Sequence, residues 1–279
     1  MRLYVGCAMW THPSWQERQP PPSERLRRYA GHCNAVEGNT TFYATPSPAT
    51  VRSWAEQTDP EFRFVAKLPK SITHERRLFG ADAELTAFLE AMAPLGERLH
   101  TLWVQLPGSF GPGDLGALAR FLPTLPADVR RTVEVRHRAF YDDQRAAAAL
   151  ERVLDRAGAE WTTFDTTVLF SAPASSPAEL EARSKKPHLP RRTRALTADP
   201  MVRYHGRDDD ETTVAGWQPW LPVVADWLRA GRTPTVFVHT PDNASSLRLA
   251  RRFHDEVRAL VPDLEPLPDP AAREPMTLF

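Results

Sequence analysis

The chain has 279 residues, with 35 lysines and arginines against 35 aspartates and glutamates, so no global charge draws it to nucleic acid or to a membrane. Its two cysteines, Cys7 and Cys33, are too few for a disulfide scaffold or a zinc finger. No stretch approaches the ~20 apolar residues of a membrane span, and the start, Arg2-Leu3-Tyr4-Val5-Gly6, lacks a signal-peptide run, which predicts a cytoplasmic protein with no membrane partner.

Short β-type runs then alternate with amphipathic helical stretches. Residues 2–6 read as a first strand and 23–30 as a helix capped by Ser23. Residues 35–37 form a short second strand, and 47–57 a helix with proline in its first turn. A third strand at 62–67 is followed by a helix at 82–92, a fourth at 101–106 by one at 114–122, and a fifth at 132–136 by the alanine-rich 142–157. The sixth strand is 160–164, the seventh 201–205 with a helix at 220–230, and the eighth 235–239 with a helix at 245–260. Eight such units close an α/β barrel of the (β/α)8 type, and barrels of ~250 residues form one domain. The barrel is assigned to 1–261. An open doubly wound sheet fits less well, because no glycine-rich nucleotide fingerprint follows the first strand.

Two segments break the rhythm. Before the seventh strand, 171–199 is rich in proline, serine and charge and has no helical or strand period. Between Arg183 and Arg194 it holds six basic residues and no acid, a composition suited to a solvated insertion, to a lid, or to phosphate contacts with nucleic acid. The tail, 262–279, is predicted to be extended. Its end, Pro275-Met276-Thr277-Leu278-Phe279, resembles peptides that dock on bacterial sliding clamps but lacks their leading glutamine.

Strand side chains alternate between faces, and in a barrel the last inward residue at each C-terminal end lines the site. Glu134 and Arg136 alternate with Val133 and Val135, and Arg203 and His205 with Val202 and Tyr204. Trp103 and Gln105 alternate with Leu102 and Val104. Lys67, Asp165 and His239 end their strands, Cys7 ends the first, and Glu37 and Asn39 end the second. Polar groups gathered at one end of a barrel predict a solvated mouth built to bind something. Flanking loops add Trp10 and Trp15, Thr41 and Tyr43, His74, and His137.

These residues form an ordered series. Val5-Gly6-Cys7 with Trp10 precedes Val36-Glu37-Gly38-Asn39-Thr40-Thr41-Phe42-Tyr43; then come Phe64-Val65-Ala66-Lys67-Leu68-Pro69 with Ile72-Thr73-His74, Gln105-Leu106-Pro107, Val133-Glu134-Val135-Arg136-His137 and Val202-Arg203-Tyr204-His205-Gly206. The series resembles the YecE-like family, domain of unknown function 72, from Leu3 to about Phe253. The resemblance implies a barrel of this type and no reaction; a looser grouping with sugar isomerases and endonuclease-type barrels is fold analogy. The chain departs from the family's paired asparagines after the last strand, where it has Val236-Phe237-Val238-His239-Thr240-Pro241-Asp242-Asn243.

Three functions follow. The first is an enzyme acting on a polar or anionic small molecule, such as a sugar acid or phosphorylated sugar, without a cofactor. Lys67, Arg136 and Arg203 would hold the anion, with Trp10, Asn39, Thr41, Tyr43 and Gln105 around it. Glu37, Glu134 or Asp165 would serve as general base, and His74, His137 or His205 would move protons. The second is a hydrolase or isomerase using a divalent metal on Glu37, Glu134, Asp165, His205 and His239, against which Lys67, Arg136 and Arg203 compete for the same carboxylates. The third is a nucleic-acid-binding protein using the run from Arg183 to Arg194, with the clamp-like peptide from Pro275 to Phe279.

Overall fold

The computed structural model describes residues 1–15 and 21–270, so the clamp-like peptide lies outside the described residues. Among these there are nine strands: β1 (Tyr4–Gly6), β2 (Ala35–Gly38), β3 (Arg63–Lys67), β4 (Leu99–Gln105), β5 (Arg130–Glu134), β6 (Ala159–Trp161), β7 (Thr163–Asp165), β8 (Met201–His205) and β9 (Thr235–His239). They form two sheets, ordered β2-β3-β4-β5-β6 and β1-β9-β8-β7, and every neighbouring pair is parallel. Parallel neighbours need crossover segments, and the amphipathic helices supply them. Ser47 caps Pro48–Glu56 and Asp143 caps Gln144–Arg156, each accepting a backbone N–H of the first turn.

Alternation sorts the strand residues. Val36, Phe64, Leu102, Val104, Val133, Val202, Val236 and Val238 pack in one large core with helix residues such as Phe88, Leu150, Val224 and Phe253. Each such side chain stabilises the fold by roughly 1.5–3 kcal/mol relative to exposure. On the opposite face, Tyr4, Ala35, Val65, Trp103, Met201 and Phe237 form a second, smaller cluster drawn from both sheets. The two sheets therefore face each other across it.

The expected closed ring of eight strands is corrected in one respect: the backbone ladders divide into two sheets, and the sixth strand divides with them. At Thr162 the chain leaves one sheet for the other; its N–H still bonds Val133 O (2.9 Å), and the next residue opens β7, which pairs with β8. Between β1 and β2 side chains replace the ladder. Asn34 accepts from Val5 N (2.8 Å) and donates to Leu3 O (2.9 Å). Tyr29 OH accepts from Cys7 N and donates to Ala35 O, both at 2.8 Å. One backbone bond, Glu37 N to Cys7 O (3.0 Å), completes the seam. Gly6 makes room for it: a Cβ there would stand 2.1 Å from Ala35 O and 2.7 Å from Tyr29 OH. Gly6→Ala is expected to cost about 3 kcal/mol, read as a lower midpoint in urea unfolding; an unchanged midpoint would show that the seam tolerates opening.

The segment 171–199 is not without structure. Ser176 caps a helix, Pro177–Lys185, by accepting from Glu179 N, with proline at its first position. The segment is tied down along its length. Asp165 holds Arg191 (2.8 Å), Glu151 holds Arg192 (2.9 Å) and Arg194 (3.1 Å), and Glu179 holds Arg207 (2.7 Å). Thr166 Oγ1 donates to Pro187 O, and the Glu160 carboxylate accepts the Leu196 and Thr197 N–H groups. No described helix is long and apolar enough to cross a membrane.

Candidate functional site at the strand ends

Arg203, on β8, reaches across to both carboxylates of the facing sheet. Its Nε and Nη2 donate to Glu37 on β2 (2.8 Å each), and its Nη1 donates to Glu134 on β5 (2.9 Å). Glu37 and Glu134 are completely buried and Arg203 is 6% exposed. The guanidinium lies over the Trp103 ring (4.4 Å) and near the Phe164 ring (5.3 Å), within the range at which an aromatic ring attracts a cation.

Each carboxylate has further donors. Glu37 accepts from Asn39 Nδ2 (2.6 Å) and contacts His239 Nε2 (3.1 Å). The Arg136 Nε donates to Glu134 (2.8 Å), and its Nη2 donates to Gln105 (3.2 Å). Burial alone would push both carboxyls up. For Glu37, Arg203 and His239 reverse that and hold it well below the usual range. For Glu134, Arg203, Arg136 and Lys67 outweigh burial and hold it below its ordinary value. Both are carboxylates at neutral pH.

Lys67, at the end of β3, differs from its neighbours. Its Nζ lies 3.8 Å from the Phe42 ring centre and 4.7 Å from that of Trp103, and it makes no ion pair within 4 Å among the described residues. Burial, followed by repulsion from Arg203, lowers its pKa to about 7. Lys186, from the insertion, is half-buried; burial and the charges of Arg203 and Arg136 lower it to about 8. Lys186 also acts on His205 and His239, so the insertion delivers an amine to the same mouth.

The histidines occupy three settings. His205 stacks on His239 (4.3 Å) and packs against Phe164 (4.7 Å); burial and then His239 keep it neutral, and its Nε2 is buried without a partner. His74 sits in a single turn of π-helix, Ser71–Glu75, packed on Phe42 (5.0 Å). Burial and the adjacent Lys67 lower it to about 4, so it is an uncharged imidazole at neutral pH. His137 lies apart, against Phe140 and over Gly111.

The structure thus brings together Glu37, Asn39, Lys67, His74, Gln105, Glu134, Arg136, Arg203, His205 and His239. Thr41 stands behind them, its Oγ1 donating to Lys67 O (2.6 Å). Trp10 packs on Trp54 (5.4 Å), and Tyr43 is largely exposed. Asp165 is not part of the group. Phe164 takes the inward position of β7, and Asp165 points the other way, accepting from Arg191 Nε (2.8 Å), Trp220 Nε1 (2.7 Å) and Thr167 N (2.9 Å). Cys7 likewise packs in the outer core, beside Tyr29. The five candidate metal ligands therefore do not assemble, and no group of three or more described His, Cys, Asp or Glu residues is arranged to hold a metal ion. The basic run is also engaged within the chain: Lys185 pairs with Glu181, Arg183 donates to Ala172 O, and Arg191, Arg192 and Arg194 hold the acids named above. Sequence reasoning missed Lys186 as a member of the mouth, because no local period marks where the insertion turns back.

Fold and site define an α/β protein of two facing parallel sheets, with an arginine–carboxylate lattice and two amines at the C-terminal strand ends. The chain belongs to the family described as "Protein of unknown function DUF72", whose model matches residues 4–273. It is 36% identical over 266 residues to the UPF0759 protein YecE of Escherichia coli (strain K12), covering 95% of this chain and 96% of that one. Crystal structures of DUF72 family proteins share the fold. That from Thermotoga maritima MSB8 gives a TM-score of 0.68 at 20% identity over 94% of this chain and all of its own. One from Enterococcus faecalis V583 gives 0.67 at 20% identity over 91% of this chain and 98% of its own.

Proposed function

We propose that the mouth binds a small anionic molecule and carries out acid/base chemistry on it, with Lys67 as the proton-exchanging group. One observation carries this reading: the charges do not balance. Glu37 and Glu134 are taken up by Arg203 and Arg136, which leaves the Lys67 and Lys186 amines surplus beside them. A buried ammonium without a carboxylate is costly, and an incoming anion relieves that cost. Arg136 adds a docking group in this reading, since Nε and Nη2 are used within the lattice and Nη1 has no hydrogen bond among the described residues. The same reading takes the two sheets as halves of one (β/α)8 barrel, continuous at Thr162 and bridged at Tyr29 and Asn34, which puts the mouth where such barrels carry their sites.

Titration calorimetry with sulfate, whose charge is constant near neutrality, tests the reading. The free amine of Lys67 titrates at about 7, and a bound anion favours the ammonium. Binding therefore takes up a proton above pH 7, and affinity should fall up to roughly tenfold per pH unit from 7 to 9. Lys67→Met should weaken binding by on the order of tenfold at pH 7 and flatten the pH dependence. Sulfate binding indifferent to Lys67 would sink the proposal.

A further inference from the structure

We propose that Lys67 is a covalent nucleophile that forms an imine with the carbonyl of a small 2-oxo acid, or of a ketone carrying a phosphate close by. The inference rests on the anion-binding reading above and names the substrate class of that site. Composition makes the choice of lysine informative. The chain has 31 arginines and four lysines. Lys70 and Lys185 are exposed and pair with Glu75 and Glu181. The other two, Lys67 and Lys186, stand at the mouth without an ion pair among the described residues. Every cation of the carboxylate lattice is arginine, which keeps its charge at all relevant pH values. Lysine differs in being able to give up its proton and attack.

The surroundings suit that attack. Phe42 and Trp103 flank the Lys67 amine and leave it poorly hydrated, and Arg203 and Arg136 disfavour its charged form. Part of the amine is therefore free at neutral pH. In the step, the Lys67 nitrogen lone pair forms a bond to the carbonyl carbon, and the C=O π pair moves to oxygen. One proton passes from nitrogen to that oxygen, and the Lys186 ammonium supplies a second. The C–O bond then breaks, water leaves, and the nitrogen lone pair closes C=N. The iminium carries the charge that Lys186 gave up. Arg136, whose Nε and Nη2 are engaged by Glu134 and Gln105, would hold the carboxylate or phosphate of the same molecule through Nη1.

The test incubates the full chain with pyruvate, and separately with dihydroxyacetone phosphate, in the presence of sodium cyanoborohydride, followed by intact-mass and peptide analysis. With four lysines and one α-amine, assignment is direct. One reduced adduct on Lys67, formed faster as pH rises through about 7 and suppressed by sulfate, is the expected result. Lys67→Arg should abolish it, and Lys70→Arg should leave it unchanged. Sulfate competition in the unmodified protein keeps the test independent of whether the Lys67 variant folds. Sulfate binding with no Lys67 adduct from either carbonyl overturns the imine and leaves the anion site standing. Loss of both sulfate binding and adduct takes down both readings.

Discussion

Arg203→Ala is expected to lower unfolding stability by about 4 kcal/mol, enough to remove a large part of a domain's total of ~5–15 kcal/mol. Three hydrogen bonds from this one side chain join carboxylates on β2 and β5 to β8 in the other sheet. Removing it strands Glu37 and Glu134, both fully buried, of which Glu134 retains Arg136 and Glu37 retains Asn39 and His239. Arg203→Lys should recover little, because one ammonium cannot reproduce a three-nitrogen fork held over the Trp103 ring. Guanidinium unfolding measures the effect, and a loss below about 1 kcal/mol would mean that solvent already reaches the lattice.

The pH dependence checks the cause. The native carboxyls of Glu37 and Glu134 titrate below their unfolded value of 4.5, so their contribution is present above that pH and is lost as the pH falls through the native values. The unmodified protein should therefore lose stability steeply below about pH 4.5. Without Arg203 the native carboxyls titrate higher, nearer their unfolded value. The acid branch of Arg203→Ala should then be shallower, although the protein is weaker at pH 7. A parallel pair of curves would assign the loss to packing against Trp103 and Phe164 instead of to charge.

Much of this lattice is legible in the chain because strand parity is local. Val133 and Val135, or Val202 and Tyr204, mark the helix-facing side, so Glu134 and Arg136, or Arg203 and His205, must share the other. The parity rule needs an unbroken strand, and it fails where Thr162 divides one. There Phe164 turns inward and Asp165 outward, although Asp165 is the more polar of the two. The two-sheet division is a long-range matter of which backbones pair, which no local pattern carries. Lys186 was hidden for a related reason. Its run of six cations suggests a free basic surface until the partners are seen, and the acids that hold Arg191, Arg192 and Arg194 lie far along the chain at Asp165 and Glu151. The signature Ser176-Pro177-Ala178-Glu179 was the readable sign that this segment begins a helix.

Asp165 then has a role that a strand-end carboxylate at the mouth would not have: it anchors the insertion. It is completely buried and accepts from Arg191 of the insertion, from Trp220 of the helix Trp220–Arg229, and from Thr167 N. Arg191 in turn donates to Gly216 O (3.2 Å). Asp165→Ala should cost about 3 kcal/mol, since it leaves a buried indole N–H without its acceptor and the Arg191 guanidinium with Gly216 O but no carboxylate. Asp165→Asn keeps the shape and removes the charge, so it should release the insertion with a smaller global loss. Limited digestion with trypsin reads this out. Cleavage after Lys185, Arg191, Arg192 or Arg194 should become at least tenfold faster in Asp165→Asn, on the order of 1.4 kcal/mol of easier local opening, while the core fragments persist. Unchanged cleavage would place the anchor elsewhere, at Glu151 or Glu179. The same variant separates position from chemistry at the mouth. Asp165 touches none of Lys67, Arg136 or Arg203, yet freeing the segment that carries Lys186 should weaken sulfate binding. Weaker binding with Lys67 trapping still specific would make Lys186 an electrostatic contributor held in place from outside the mouth, and unchanged binding would leave the anion to Lys67 and Arg136 alone.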